Sequence, residues 1–107
     1  MSRYLALWRR NPSAPWPRDL TEYSKLQETM WAAIDGLMKK GEIKEFGWFL
    51  DGLSGYAIAE GDSATHFKNV SMFAAYYDFE VHEMLQYDKG KEILRALSKA
   101  QIEAAKK

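Results

Sequence analysis

Apolar and polar residues change period twice within the first forty positions. They alternate with a period of two over Arg3–Arg10, which predicts a β-strand. All three prolines fall within residues 11–19, and they favour an extended loop because proline cannot donate to a strand ladder. Apolar residues then recur every three or four positions from Leu20 to Gly41. This spacing predicts an amphipathic helix capped by Asp19 or Thr21.

The same two periods continue through the rest of the chain and predict five further elements. These are strands over 42–50, 56–60 and 79–87, a helix from Asp62 or Ser63 to near Asp78, and a helix from Lys89 to Lys107. Residues 51–55 have the composition of a tight turn between two strands. The inner face of the middle helix is predicted to comprise Phe67, Val70, Phe73, Ala74 and Tyr77. The last helix carries Ile93, Leu94, Leu97 and Ile102 on one side.

The order β-α-β-β-α-β followed by a helix predicts one α+β domain over residues 1–107. It is the order of the ferredoxin-like fold, in which two helices cover one face of a four-stranded antiparallel sheet. The first two strands carry large apolar residues on both sides, so the second face of the sheet also needs a cover. We expect a second copy of the chain to supply it by packing sheet against sheet in a homodimer.

Three segments, at 4–13, 41–62 and 77–85, resemble the dimeric α/β-barrel superfamily, and more narrowly a group of small uncharacterised prokaryotic proteins within it. The resemblance implies two ferredoxin-like sheets that pair around an enclosed space. The superfamily includes cofactor-independent monooxygenases, haem-degrading oxygenases, isomerases and ligand-binding regulatory domains. The matching motifs are turn glycines and strand patterns, so they favour the fold without selecting a reaction.

Composition and charge exclude several classes of function. The 15 basic and 15 acidic residues balance, so nucleic-acid and membrane binding are not expected. Zero cysteines and two histidines argue against disulfides and a metal site, and no cofactor is predicted. Neither a leader nor a membrane-spanning run is evident, so we expect a cytoplasmic protein. Residues 1–18 are basic and 42–88 acidic, which indicates charge pairing across the sheet or, alternatively, an anionic-ligand pocket around Arg9 and Arg10.

Aromatic residues supply one candidate site. Trp8, Trp48 and Tyr56 are predicted to form the wall of a pocket for a planar apolar ligand, with Trp16 as its lid. The alternative is that they belong to the core or the dimer interface.

His82 supplies the other candidate, in a strand row with Glu80, Met84 and Gln86 that would line a barrel lumen. An imidazole there is a candidate general base or haem ligand, or simply a hydrogen-bonded interface residue. His66 is predicted to lie at the surface or helix edge. Glu83 is expected to pair with Arg3 or Arg9 if its side faces a core.

Three functions therefore remain open from the sequence. The first is a small dimeric protein that binds an apolar or aromatic ligand in the inter-sheet cavity at Trp8, Trp48, Tyr56 and His82. The alternative is a cofactor-independent monooxygenase or isomerase that uses His82. A purely structural dimer is the third, and whether the protein is an enzyme is left open.

Overall fold

The computed structural model describes residues 2–106 and contains four strands and three helices. The elements are β1 (Ser2–Arg10), α1 (Leu20–Lys39), β2 (Ile43–Trp48), β3 (Ser54–Gly61), α2 (Ser63–Ser71), β4 (Tyr77–Met84) and α3 (Tyr87–Ala105). Their number and order are those predicted from the two periods. In the part of the chain described, no helix is both long and apolar enough to cross a membrane.

The strands form one antiparallel sheet in the order β2-β3-β1-β4. Because β1 and β3 are central, α1 connects two strands that are separated by β3, and α2 connects two strands that are separated by β1. The prediction of an α+β fold with a four-stranded antiparallel sheet is confirmed.

Aspartate side chains start the first two helices. Asp19 Oδ1 accepts a hydrogen bond from the Glu22 amide at 3.0 Å, and Asp62 Oδ1 accepts one from the Thr65 amide at 2.7 Å. Each bond satisfies an amide that has no partner within the helix. The bonds from Thr65 lower the pKa of Asp62. Of the alternatives at each start, the aspartate is therefore the residue that caps.

The second helix is shorter than predicted, because it ends at Ser71 instead of near Asp78. Tight turns follow, in which the Phe73 amide donates to the Val70 carbonyl and the Tyr76 amide to the Phe73 carbonyl. The Tyr76 carbonyl accepts from the Asn11 amide at 2.9 Å, which joins this segment to the end of β1. Tyr77 consequently begins β4, opposite Arg10.

The two faces of the sheet differ in character. The helix-covered face contains almost the whole core, which consists of Tyr4, Ala6, Trp8, Met30, Leu37, Ala57 and Ala59. The open face has a half-buried apolar centre formed by Leu5, Leu7, Tyr56 and Ile58. Ion pairs flank this centre, from Arg3 to Glu60 at 3.5 Å and from Arg9 to Asp51 at 3.7 Å.

Three predicted side-chain positions are wrong. Phe67, assigned to the inner face of α2, is 74% exposed, and His66 packs inward on the Tyr4 ring instead. Glu83 lies opposite Tyr4, on the face away from Arg3 and Arg9, and is exposed. It therefore pairs with neither arginine.

α3 extends away from the rest of the molecule. The protein measures 72 × 28 × 24 Å, and its radius of gyration is 19.3 Å. A compact chain of this length would have a radius of about 13 Å. α3 contains no buried residue, so its apolar face is left without a cover within the chain.

Candidate functional site

A cavity of about 130 Å³ lies between the helix-covered face of the sheet and the helices. Its floor is formed by Ala6, Ala57 and Ala59, which lie side by side on β1 and β3. Alanine side chains at the centre of a sheet leave space that larger residues would fill. The walls are aromatic and are formed by Tyr23, Trp31, Phe46, Trp48, Tyr77 and Phe79, together with Trp8.

The aromatic walls hold one another in fixed orientations. Trp8 stacks on Phe46 with ring centroids 5.6 Å apart and meets Tyr77 edge-on at 5.4 Å. Trp48 meets Phe46 edge-on at 5.5 Å and Trp31 edge-on at 6.4 Å. These offset and edge-to-face arrangements are the favourable ones for aromatic pairs.

Glycine makes the position of the Trp8 indole possible. Gly55 lies opposite Trp8 on β3, and a Cβ there would overlap the indole ring and the Gly47 carbonyl. The indole therefore lies across the neighbouring strand. It reaches the middle of the cavity wall because β3 has no side chain at this point.

Four buried side-chain atoms have no hydrogen-bond partner among residues 2–106. They are Trp8 Nε1, Arg10 Nε, His66 Nε2 and Asn69 Oδ1, and all four residues line the cavity. Unpartnered buried polar atoms are rare in folded proteins and cost free energy. Their clustering around one apolar space is the strongest indication of a binding site in the structure.

Asn69 is oriented by a contact between distant elements. Its Nδ2 donates to Glu42 Oε1 at 2.8 Å, which leaves Oδ1 as the free acceptor. Asn69 itself is 7% exposed, so water has little access to it. The amide therefore presents an acceptor from the α2 side of the cavity.

His66 is held by stacking and is neutral near physiological pH. Its ring lies parallel to Tyr4, 4.6 Å from it. Burial lowers the pKa of His66 from its ordinary value of 6.5, because the imidazolium form loses hydration. A neutral imidazole nitrogen can either donate or accept a hydrogen bond.

Arg10 carries positive charge at one end of the cavity. Its guanidinium lies 4.2 Å from the Trp16 ring centre and 5.5 Å from that of Tyr23. Trp16 is anchored by its indole N–H, which donates to the Asn11 carbonyl at 2.6 Å, and it packs against Tyr77. Burial raises the pKa of Tyr77, which keeps this phenol protonated. Trp16 thus packs on Arg10 and Tyr77, which line the cavity, but Trp16 is not itself a lining residue.

The four predicted site residues separate onto opposite faces of the sheet. Trp8 and Trp48 line the cavity, but Tyr56 pairs with Leu7 and His82 with Leu5, which places both on the open face. The structure therefore brings together two members of the predicted site and separates them from the other two.

On the open face, the two separated residues each contact a glutamate. His82 Nε2 lies 3.1 Å from Glu80 Oε2, and the His82 side chain is 56% exposed. Tyr56 stacks on Phe49, and its hydrogen bond with Glu45 raises its pKa. Of the predicted row, Glu80, His82 and Met84 lie on one face, since alternate residues of β4 point the same way. Gln86 lies beyond β4 and precedes α3.

Several cavity residues were not predicted as site residues. Arg10 was named only through the alternative of an anionic-ligand pocket, and Asn69 and Tyr77 were not assigned to a site. One available signal was the spacing of His66, Asn69, Val70 and Phe73, which is that of one helix face and includes two polar residues.

The chain matches no protein-family model, and no curated protein matches it. Among the described residues, no group of His, Asp and Glu side chains is arranged to hold a metal ion. The chemistry of the site is therefore argued from its own atoms.

Proposed function

We propose that the protein binds a small planar aromatic molecule with an anionic group in the cavity between the sheet and α1 and α2. The observation that carries the proposal is the set of four unpartnered polar atoms around an aromatic-walled space. Binding pockets combine apolar walls with a few polar groups that fix the orientation of the ligand. A ligand that satisfied these atoms would remove the cost of leaving them unpaired.

The volume of the cavity selects the size of the ligand. An engineered protein cavity of about 150 Å³ admits benzene. The cavity here, at about 130 Å³, is of similar size. It therefore suits one ring with small substituents, whereas a fused polycyclic molecule would require the walls to move.

The polar atoms select the substituents of the ring. Trp8 Nε1 and Arg10 Nε are donors, and the charge on Arg10 favours a carboxylate or phenolate as their acceptor. Asn69 Oδ1 requires a donor, such as a hydroxyl group. A hydroxylated aromatic acid combines the two requirements, and 4-hydroxybenzoate is the simplest probe.

Calorimetric titration with three acids tests the proposal. We expect 4-hydroxybenzoate to bind more tightly than benzoate, which lacks the donor, and cyclohexanecarboxylate to bind least, since it is not planar. Replacing Arg10 by Met keeps the apolar stem and should weaken 4-hydroxybenzoate binding at least about tenfold, the lower range for a charged hydrogen bond. His82→Ala, on the opposite face, is the control and should leave the affinity unchanged. Equal binding of the three acids, or no effect of Arg10→Met, would overturn the proposal.

We also propose that the chain is a ferredoxin-like subunit of a homodimer. The order β2-β3-β1-β4 and the two helical connections support the fold. The half-buried apolar centre of the open face supports a second copy as its cover. Direct sheet-on-sheet packing in a dimeric α/β barrel remains a prediction from the sequence.

The alternative function, a cofactor-independent monooxygenase or isomerase, depends on His82. His82 Nε2 lies 3.1 Å from Glu80 Oε2, and a base whose imidazole is oriented by a neighbouring group is a common catalytic arrangement. Turnover of an aromatic substrate that His82→Ala abolished would favour the enzyme. Binding in the cavity that survives this substitution would favour the binding protein.

A further inference from the structure

The exposed surface of the isolated chain is larger than that of a compact monomer of its mass. It amounts to 8036 Å², whereas a 12.4 kDa monomer is expected to expose about 6,100 Å². The excess of about 1,900 Å² per chain is about 3,800 Å² for two chains. Obligate homodimers bury about 2,000–5,000 Å² in total, so the excess lies within this range. A second copy is thus an occupant of the right size.

Much of the apolar excess lies on α3. Tyr87, Ile93, Leu94, Leu97 and Ile102 are each at least 50% exposed. By helical spacing they occupy one side, with Leu94 and Leu97 near its centre and Lys99 on the opposite side. Most of the stability of a helix in a protein comes from the packing of its apolar face. Sheet-on-sheet packing of two copies would leave this helix face in water.

We propose that α3 of each protomer packs across the open sheet face of a second copy, so that two chains exchange their C-terminal helices. The 19-residue helix is about 28 Å long, and the nine residues of β1 span about 30 Å. The apolar side of α3 would lie on Leu5, Leu7, Tyr56 and Ile58. One type of contact, made twice, covers both apolar surfaces.

Charges on the two surfaces are complementary. The open face carries Glu45, Glu60, Asp78 and Glu80 against Arg3 and Arg9. Of the charged residues of α3, Lys91 and Arg95 lie closest to its apolar side by helical spacing, whereas Glu92, Lys99 and Glu103 lie on the opposite side. The border of the apolar side of α3 is therefore positive and the sheet face is net negative, which favours their association over sheet against sheet, where like charges would meet.

Light scattering on the full chain and three variants tests the exchange. We expect the wild-type protein to have twice the chain mass at micromolar concentration. Leu97→Glu, on the apolar side of α3, should be monomeric, and so should Leu7→Lys, on the open face. Lys opposite Glu80 is compatible with the folded sheet. Lys99→Glu, on the charged side of α3, is the matched control and should remain dimeric.

Mixing the two monomeric variants distinguishes exchange from other dimers. Leu97→Glu retains an intact sheet face and Leu7→Lys an intact α3, so an equimolar mixture should form a heterodimer, detectable by native mass spectrometry with one variant isotope-labelled. Absence of this heterodimer would overturn the proposal. A dimeric Leu97→Glu variant would indicate sheet-on-sheet packing, and a dimeric Leu7→Lys variant would indicate packing of α3 on α3. A monomeric wild-type protein would indicate that α3 folds back on its own chain. Each of these results would overturn the exchange. Circular dichroism verifies folding, and Leu94→Glu and Leu5→Lys replace either variant if it unfolds.

Discussion

Filling the cavity distinguishes a preformed binding site from an ordinary core. Ala57 lies on the cavity floor, opposite Ala6 on β1 and Phe46 on β2. Ala57→Val adds two methyl groups at a strand position, where β-branched residues are favoured. If the added groups enter the cavity, the burial of two carbons should raise the free energy of unfolding by about 1.6 kcal/mol.

The sign of this change in the free energy of unfolding distinguishes a cavity from a fully packed core. In a fully packed core the same substitution would cost about 1–3 kcal/mol through overpacking. Urea unfolding followed by tryptophan fluorescence measures the difference, and the expected gain shifts the midpoint upward by about 1 M. Because association also stabilises the folded chain, wild type and variant must be compared at one protein concentration.

The same variant should lose ligand binding. Valine would occupy part of the 130 Å³ available to the ring, so we expect 4-hydroxybenzoate affinity to fall at least tenfold, a loss of about 1.4 kcal/mol. Ala14→Val in the proline loop, away from the cavity, is the control and should change neither quantity. A destabilised Ala57→Val variant that bound the acid normally would refute the assignment of this space as a binding site.

Three further outcomes follow from local geometry. Burial lowers the pKa of His66, so below pH 6.5 the unfolded chain binds a proton that the folded chain does not. The free energy of unfolding should therefore fall as the pH drops below 6.5. His66→Phe should reduce this pH dependence, measured by urea unfolding at pH 5 and pH 7. Gly55→Ala should destabilise by about 1–3 kcal/mol through overlap with Trp8, whereas Gly36→Ala, with open space around it in α1, should stabilise by up to about 1 kcal/mol. Asp62→Ala should lower the free energy of unfolding by about 1 kcal/mol through loss of the α2 cap, measured by thermal unfolding. A variant whose stability did not change would contradict the structural feature on which its prediction rests.

Element order was predictable because periodicity and capping are local. The change from alternation to helical spacing at Leu20 and the caps at Asp19 and Asp62 depend on residues within a few positions. The end of α2 was not predictable in this way. The segment that follows α2 is joined to the end of β1 by the hydrogen bond from the Asn11 amide to the Tyr76 carbonyl, a contact between residues far apart in sequence.

Face assignment failed for a similar reason. Alternation shows which residues of one strand share a side, but the pairing register determines which sides of different strands coincide. A register irregularity between Ile43 and Glu45 places Ile43 and Phe46 on one face, although strict alternation separates them. The predicted site combined two faces because alternation within single strands did not show that Tyr56 pairs with Leu7 and His82 with Leu5.

The proposed ligand and the proposed second copy would each stabilise a chain whose own core is small. Seven apolar residues form its core, none of the described side chains is completely buried, and polar atoms around the cavity lack partners. A ligand bound to the folded state and a second copy packed on it each add to stability by mass action. The two contributions should be separable: the melting temperature should rise with protein concentration in wild type but not in Leu97→Glu, whereas 4-hydroxybenzoate should raise it in both, because α3 and the cavity lie apart.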